Sequence, residues 1–310
     1  MKYLKMFESH SGYETFTQGD EFIKPNVSHC VQENEVHYNP IADYSKKYLR
    51  TTALNDGEIG FNFTSYIDSE SFNFISYSTN NGSTWITVQN ESGNTISIPV
   101  SAGDSILWKG SGTSMCYIER GSGYIPCSFT SSTNCQFDVD GNIMSLLYCD
   151  DFIGKTELPV SEYISLGGVF MNSNVVNAKN LILPATTLAD GCYATMFWQC
   201  LNLVTAPELP ATTLERSCYS DMFNGCTSLI TAPELPATTL ADWCYSYMFN
   251  GCTSLNSITC LATDISATNC TFNWVNGVAA SGTFTKAPSM TGWTTGTSGI
   301  PDGWTVETAS

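Results

Sequence analysis

Charge is scarce in this chain: Asp, Glu, Lys and Arg make up 13% of 310 residues, about half the usual share. Basic residues are the scarcest, 12 against 29 acidic, for a formal net charge of −17. That balance excludes attraction to nucleic acid or to an anionic membrane through a general electrostatic term. The acidic residues are dispersed, so they read as a solubility device and not as a disordered acidic tail. No segment holds 18 consecutive apolar residues, so no membrane insertion is expected. The opening "MKYLKMFESHSGYETF" lacks an apolar signal core, since Glu8, Ser9 and His10 interrupt it; the expectation is a chain made in a cytoplasm and not exported by the usual route. Histidine occurs only three times, at His10, His29 and His37. There is no G-x-S-x-G, no H-E-x-x-H and no P-loop. A Ser-His-Asp or Cys-His site in the rest of the chain has no base available. The chain is therefore expected not to be an enzyme and to need no cofactor or metal.

What the sequence has in abundance is repetition. "LPATTL" begins at Leu183, Leu209 and Leu235, a step of 26 residues. Cys192, Cys218, Cys244 and Cys270 keep that step, as do Cys200, Cys226 and Cys252, and the Met-Phe pairs starting at Met196, Met222 and Met248. An earlier, degenerate unit, "VFMNSNVVNAKNLILPATTL", puts Asn174 where later units have Cys200. Within a unit, "LITAPEL" reads as a short extended strand because of its proline. "ATTLADWCYSYMF" reads as a short helix, with Leu240, Cys244, Met248 and Phe249 on one face. "NGC" reads as its stop, with Asn or Gly in a left-handed cap. One such unit cannot bury a face alone, but stacked units can, and the expected product is a solenoid cored by ladders of identical residues.

The remainder divides by composition. Residues 1–55 show little periodicity and carry a basic patch, Lys46, Lys47 and Arg50, so they read as an extended attachment or oligomerisation arm. Residues 56–150 alternate aromatic and polar residues between turn signals, as a β-sandwich does. Residues 151–281 are the solenoid, and 282–310 its C-terminal cap. The fold class is thus mainly β with short helices.

Several constellations carry two readings. The 13 cysteines include no C-x2-C pair; the ladders read better as small buried hydrophobes than as a metal or disulfide set. "STNNGSTW", Ser78 to Trp85, resembles the Asp-box of sialidase-like propellers with Asn80 in place of Asp, which implies a glycosidase. The other reading is a hairpin whose Asn-Gly turn and buried Trp85 are structural, favoured because only one copy exists. "DVDGN", Asp138 to Asn142, fails the calcium-loop spacing and reads as a β-turn.

The phrase "MFNGCTSLITAPELPATTLADWCYSYMF" resembles the BspA-type leucine-rich repeats, which implies a leucine-rich-repeat solenoid. The order of "KPNVSHCVQENEVHYNP", "YSTNNGSTW", the "LPATTL" repeats and "WTTGTSGIPDGWTV" is similar to proteins of gut Bacteroidales and of the crAss-like phages that infect them. That likeness implies a virion structural protein, a head or tail fibre-like appendage. It would be made in the host cytoplasm and displayed on the virion surface. Its arm would dock to other virion proteins, its repeat surface would meet a host cell surface or glycan, and it would be a homo-oligomer such as a trimer. In such fibres histidines on a threefold axis can hold a metal, a role open to His10, His29 and His37. The alternatives are an extracellular BspA-like adhesin on a bacterial surface and a glycan-active enzyme. The expected contact surface comes from the strand pattern. Leu229, Ala232 and Leu235 face inward, leaving Thr231 and Glu234 outward, with Thr205 and Glu208 one repeat earlier. Carboxylates on neighbouring rungs, about 4.8 Å apart, repel unless water, a cation or a polyol intervenes.

Overall fold

A computed structural model of the chain describes residues 43–310 except 65–70, 92–93, 120–122 and 159–164, together with the backbone of four strands nearer the N-terminus. The chain divides into two compact units, Met1–Asp43 and Tyr44–Ser310. In the first, β1 (Leu4–Glu8), β2 (Glu14–Gln18), β3 (His29–Gln32) and β4 (Glu35–Tyr38) pair antiparallel in the order β1-β2-β4-β3. The side chains of His10, His29 and His37 lie outside the described residues.

The second unit opens with β5 (Leu49–Ala53), β6 (Gly57–Asn62), β7 (Phe72–Ser78), β8 (Ile86–Gln89), β9 (Thr95–Val100), β10 (Ser105–Gly112), β11 (Cys116–Glu119), β12 (Gly123–Pro126), β13 (Ser128–Ser131), β14 (Phe137–Asn142) and β15 (Val175–Ile182). A six-stranded sheet runs β15-β14-β5-β10-β7-β8, and a three-stranded one runs β13-β6-β9. Alternation along the strands supplies one apolar face per sheet; in β10, Ile106 and Trp108 are buried and Leu107 is not fully so. The two apolar faces meet through aromatic rings. Phe61 of β6 lies 6.1 Å from Phe72 of β7, and Phe129 of β13 packs edge-on against Trp108 of β10 at 5.1 Å. The Trp108 indole N–H, wholly buried, donates to Thr51 Oγ1 at 2.9 Å.

Asp138–Asn142 does not form the expected β-turn. It lies in β14, between antiparallel β5 and parallel β15. Phe137 and Val139 are buried, and that alternation outweighs the turn propensity of Asp, Gly and Asn once both strand edges have partners.

From Ser165 onward the chain forms stacked turns, each bonded to the next. They contain no helix; among the described residues the only α-helix is α1 (Ser145–Tyr148), outside the repeats. The expected helix is replaced by overlapping tight turns of period four. A left-handed residue recurs every fourth position: Gly191, Thr195 and Gln199, then Ser217, Asp221 and Gly225, then Trp243, Tyr247 and Gly251. Alternate amides have different jobs. The N–H groups of Ala194 and Trp198 close turns onto the carbonyls of Gly191 and Thr195, at 2.8 and 2.9 Å. Those of Tyr193, Thr195, Phe197 and Gln199 reach across to the carbonyls of Cys218, Ser220, Met222 and Asn224, at 2.7–3.0 Å. An α-helix would need every N–H within its own segment, so bonding between turns and helix formation exclude each other. The left-handed cap expected for "NGC" does occur, at Gly225 and Gly251, but it closes a run of turns.

The stretch expected as a strand is also reduced. "LVTAPEL" and "LITAPEL" make single parallel bridges at Thr205, Thr231 and Leu235, because Pro207 and Pro233 have no N–H to extend the ladder. One turn later Thr259 replaces proline, and a true strand β16 (Ser257–Cys260) forms; it pairs in parallel with β17 (Thr283–Lys286), and β17 with β18 (Thr305–Thr308).

Side chains stack as the turns do. One column runs Phe129, Phe170, Phe197, Phe223 and Phe249, with successive centroids 5.1–5.7 Å apart and planes within 17° of parallel. A second runs Tyr193, Tyr219 and Tyr245. Both converge on Trp274, which stacks on Trp293 at 5.6 Å. The column corrects the register of the first unit. Phe170 stacks on Phe197, and Ser173 Oγ lies 3.6 Å from Cys200 Sγ, so Ser173 occupies the cysteine position and not Asn174. Asn174 instead donates to Ser131 Oγ and the Ser132 carbonyl, at 3.1 and 3.2 Å.

Candidate functional site

The outward rows of the stacked turns are set by what the inward rows bury. Leu229, Ala232 and Leu235 are 0%, 7% and 0% exposed, so the intervening residues face solvent. Thr205 and Thr231 sit on neighbouring rungs joined by a parallel bridge. Glu208 and Glu234, three residues further along their rungs, are both exposed. The row is longer than those two rungs. Asn177 bridges to Thr205, Thr231 to Ser257, Ser257 pairs with Thr283, and Thr283 with Thr305. A step of 26 back from Thr205 would put Lys179 opposite it, but Asn177 stands there. The signal for Ser257 and Thr283 was present as two further steps of 26; Asn177 and Thr305 break the step and were legible only from pairing. Exposed Val204 and Ile230, 40% and 47% accessible, adjoin the row.

The cysteine columns face inward. All twelve cysteines among the described residues are free thiols. Cys200, Cys226 and Cys252 each donate Sγ–H to the carbonyl of a stacked phenylalanine one turn back, Phe170, Phe197 and Phe223, at 2.9, 3.1 and 3.0 Å. Burial pushes the thiols of Cys192, Cys200 and Cys252 up to about 12, and those of Cys218 and Cys226 well above the ordinary value. They are protonated and poor nucleophiles. Among the described residues no three His, Cys, Asp or Glu side chains converge on a common metal position.

The "STNNGSTW" hairpin joins β7 to β8. Its loop is tied internally: Thr84 N–H donates to Asn80 Oδ1, and Gly82 N–H to Ser78 Oγ, both at 2.9 Å. Trp85 is half-buried, not buried. Its ring meets Tyr48 edge-on at 5.0 Å and carries the Lys109 ammonium 4.3 Å above it. Lys109 Nζ also bonds Asp150 at 2.7 Å, and the Tyr48 hydroxyl donates to the same carboxylate at 2.6 Å. Lys109 and the Tyr48 hydroxyl hold the Asp150 carboxyl below its usual range, while burial and then Asp150 push the Tyr48 phenol up to about 12. Tyr48, Lys109 and Asp150 thus satisfy one another's polar groups, as in a structural clasp. From the basic patch, Arg50 is likewise engaged, through Nε and Nη2 on Asp140 at 2.7–3.1 Å.

A small cavity of about 160 Å³ lies where Val275, Val278 and Ala279 face Thr297, Pro301 and Asp302. Ligand pockets usually run to roughly 300–1,000 Å³, so the exposed rows are the better candidate surface. The chain matches no protein-family model, and no curated protein or solved structure is similar enough to count as a match.

Proposed function

We propose that this chain is a non-enzymatic adhesive and structural protein, whose stacked 26-residue turns form a solenoid of the BspA-like leucine-rich-repeat kind. The reading places it on a virion as a head or tail fibre-like appendage. The first unit docks it to other virion proteins and sets a homo-oligomer, the sandwich acts as spacer, and the repeat surface meets a host surface glycan. The observation that carries the adhesive part is the row of paired positions, one per rung: Asn177, Thr205, Ser257 and Thr283, half-buried, and Thr231 and Thr305, exposed. Equivalent weak contacts at a fixed spacing multiply through avidity.

Two experiments test the reading. Purified chain is expected to compete with particles for adsorption to host cells, and Glu208→Gln with Glu234→Gln to weaken that competition; wild-type chain that never competes would sink the adhesive reading. Light scattering with and without Met1–Asp43 is expected to show an oligomer falling to monomer. An unchanged mass, with unchanged incorporation into particles, would remove the docking role.

A further inference from the structure

We infer that the outer corner of the stacked turns is a second binding face, for a neutral polysaccharide chain lying along the stacking axis. The inference deepens the adhesive reading but rests on different residues. In each "LPATTL" the apolar positions turn inward: Ala185, Ala211 and Ala237, with Leu188, Leu214 and Leu240, are all buried. The two threonines between them are exposed on every rung, as Thr186 and Thr187, Thr212 and Thr213, Thr238 and Thr239, and the next turn continues with Thr263 and Asp264. Parallel bridges Thr187↔Thr213 and Thr239↔Asp264, with the Thr263 N–H on the Thr238 carbonyl at 2.8 Å, join the first rung to the second and the third to the fourth, and the Ser217 N–H on the Asp242 carbonyl at 3.0 Å joins the second to the third just beyond the threonines. The result is two adjoining columns of hydroxyl groups. Thr263 Oγ1 bonds the Thr238 carbonyl at 3.2 Å. The other six hydroxyls have no partner among the described residues.

Backbone geometry accounts for only part of this. A bridged position favours a β-branched residue, and Val or Ile would serve as well as Thr. Other exposed positions at the same step differ from rung to rung, as Val204, Ile230 and Asn256 do, so solvent contact does not itself impose one residue type. The ligand class follows from spacing and charge. Rungs stand about 4.8 Å apart, so a ligand that engages several must repeat along a line. The six threonines carry no charge, while Glu208, Glu234 and Asp264 flank them in a chain of net charge −17, which disfavours polyanions. A neutral glycan offers hydroxyls that both donate and accept, as Thr does, and C–H faces for the Thr methyls. Each contact is weak, and the columns sum them.

The test uses the full chain with insoluble β-linked glucan, xylan and mannan in co-sedimentation. Retention on at least one is expected. Thr212→Val, Thr213→Val, Thr238→Val and Thr239→Val together keep the branched shape and remove four hydroxyls; about a tenfold loss of affinity is expected if four contacts multiply. The matching four Thr→Ser changes should stay close to wild type. Should the valine variant fail to fold, Thr238→Val with Thr239→Val decides, with a measurable loss expected. Absence of retention on every neutral glycan, undiminished binding by the folded valine variants, or inhibition of ice growth without glycan binding overturns the inference. Loss with Glu208→Gln and Glu234→Gln but not with the valine changes would overturn this corner site and leave the adhesive reading standing.

Discussion

Phe129 of β13 stacks on Phe170 of the first turn, with centroids 5.1 Å apart and planes 17° from parallel. The contact makes the sheet core and the repeat core one column, continued through Phe197, Phe223 and Phe249 to Trp274. The six-stranded sheet is continued likewise, since β15 lies on β14 and Asn177 in β15 bridges to Thr205. The sheets thus cover the end of the repeat stack that would otherwise expose Phe170, the role of a capping unit in a one-dimensional array.

Removing a ring from mid-column should therefore be costly. Phe223→Ala is expected to lower stability by about 3–5 kcal/mol, read from urea denaturation. Phe129→Ala, in the sheets, should destabilise the turns as well as the sheets, detected as loss of protection in amides 193–223 by hydrogen exchange; unchanged protection there would contradict a shared core.

The phenols of Tyr193 and Tyr219 are buried and their hydroxyls have no partner among the described residues. A buried unsatisfied hydroxyl costs roughly 1–3 kcal/mol, so Tyr219→Phe is expected to be neutral or to raise the melting temperature. A clear loss of stability would mean that the hydroxyl has a partner.

Gly251 has φ 74°, and a Cβ there would meet only the Gly225 backbone, Cα at 3.6 Å and N at 3.7 Å. Space is adequate, so the cost of Gly251→Ala is the left-handed backbone, about 1–2 kcal/mol. Equal melting temperatures for variant and wild type would show that the turn tolerates another conformation.

The buried thiols make stability fall in alkali. Folded Cys192, Cys200 and Cys252 ionise near 12 against an ordinary 9.0. The unfolded chain therefore gives up protons first as pH rises, and their contribution, intact below 9, is lost between 9 and 12. The urea midpoint should drop steeply from pH 8 to 10.5, and less so in Cys200→Ala with Cys252→Ala. Native chain at pH 8 should leave these thiols unalkylated by iodoacetamide.

Asp150→Asn removes the charge that bonds the Tyr48 hydroxyl. The Tyr48 phenol, near 12 in the intact protein, is expected to titrate lower in the variant, followed by phenolate absorbance against a Tyr48→Phe control. No change would leave burial, with the neighbouring Cys149, as the cause.

Within the near-identical repeats, the register, the inward Leu, Cys, Met and Phe positions and the outer positions Thr205, Glu208, Thr231 and Glu234 were legible, because a step of 26 fixes which residues stack whatever the local conformation; at the two ends, where the step changes, the register was not. The local conformation was not legible. Cys192, Met196 and Cys200 recur every four residues, and that spacing suits both an α-helix and a period-four run of turns. Only the neighbouring turn, by taking the N–H of every second residue, decides between them. Trp243 and Tyr247, with φ of 60° and 53°, adopt a backbone that their own preferences oppose.

Composition and periodicity by themselves determined that this chain is mainly β and built from stacked units with a ladder core. Those features are one-dimensional, written in residue type and spacing. Tertiary contact decided the rest: turns in place of helices, Asp138–Asn142 as a strand, Ser173 instead of Asn174 below Cys200, and the fusion of sheet and stack at Phe129. Each of these depends on which backbone amides find partners across the chain, and spacing along one strand of sequence does not specify that.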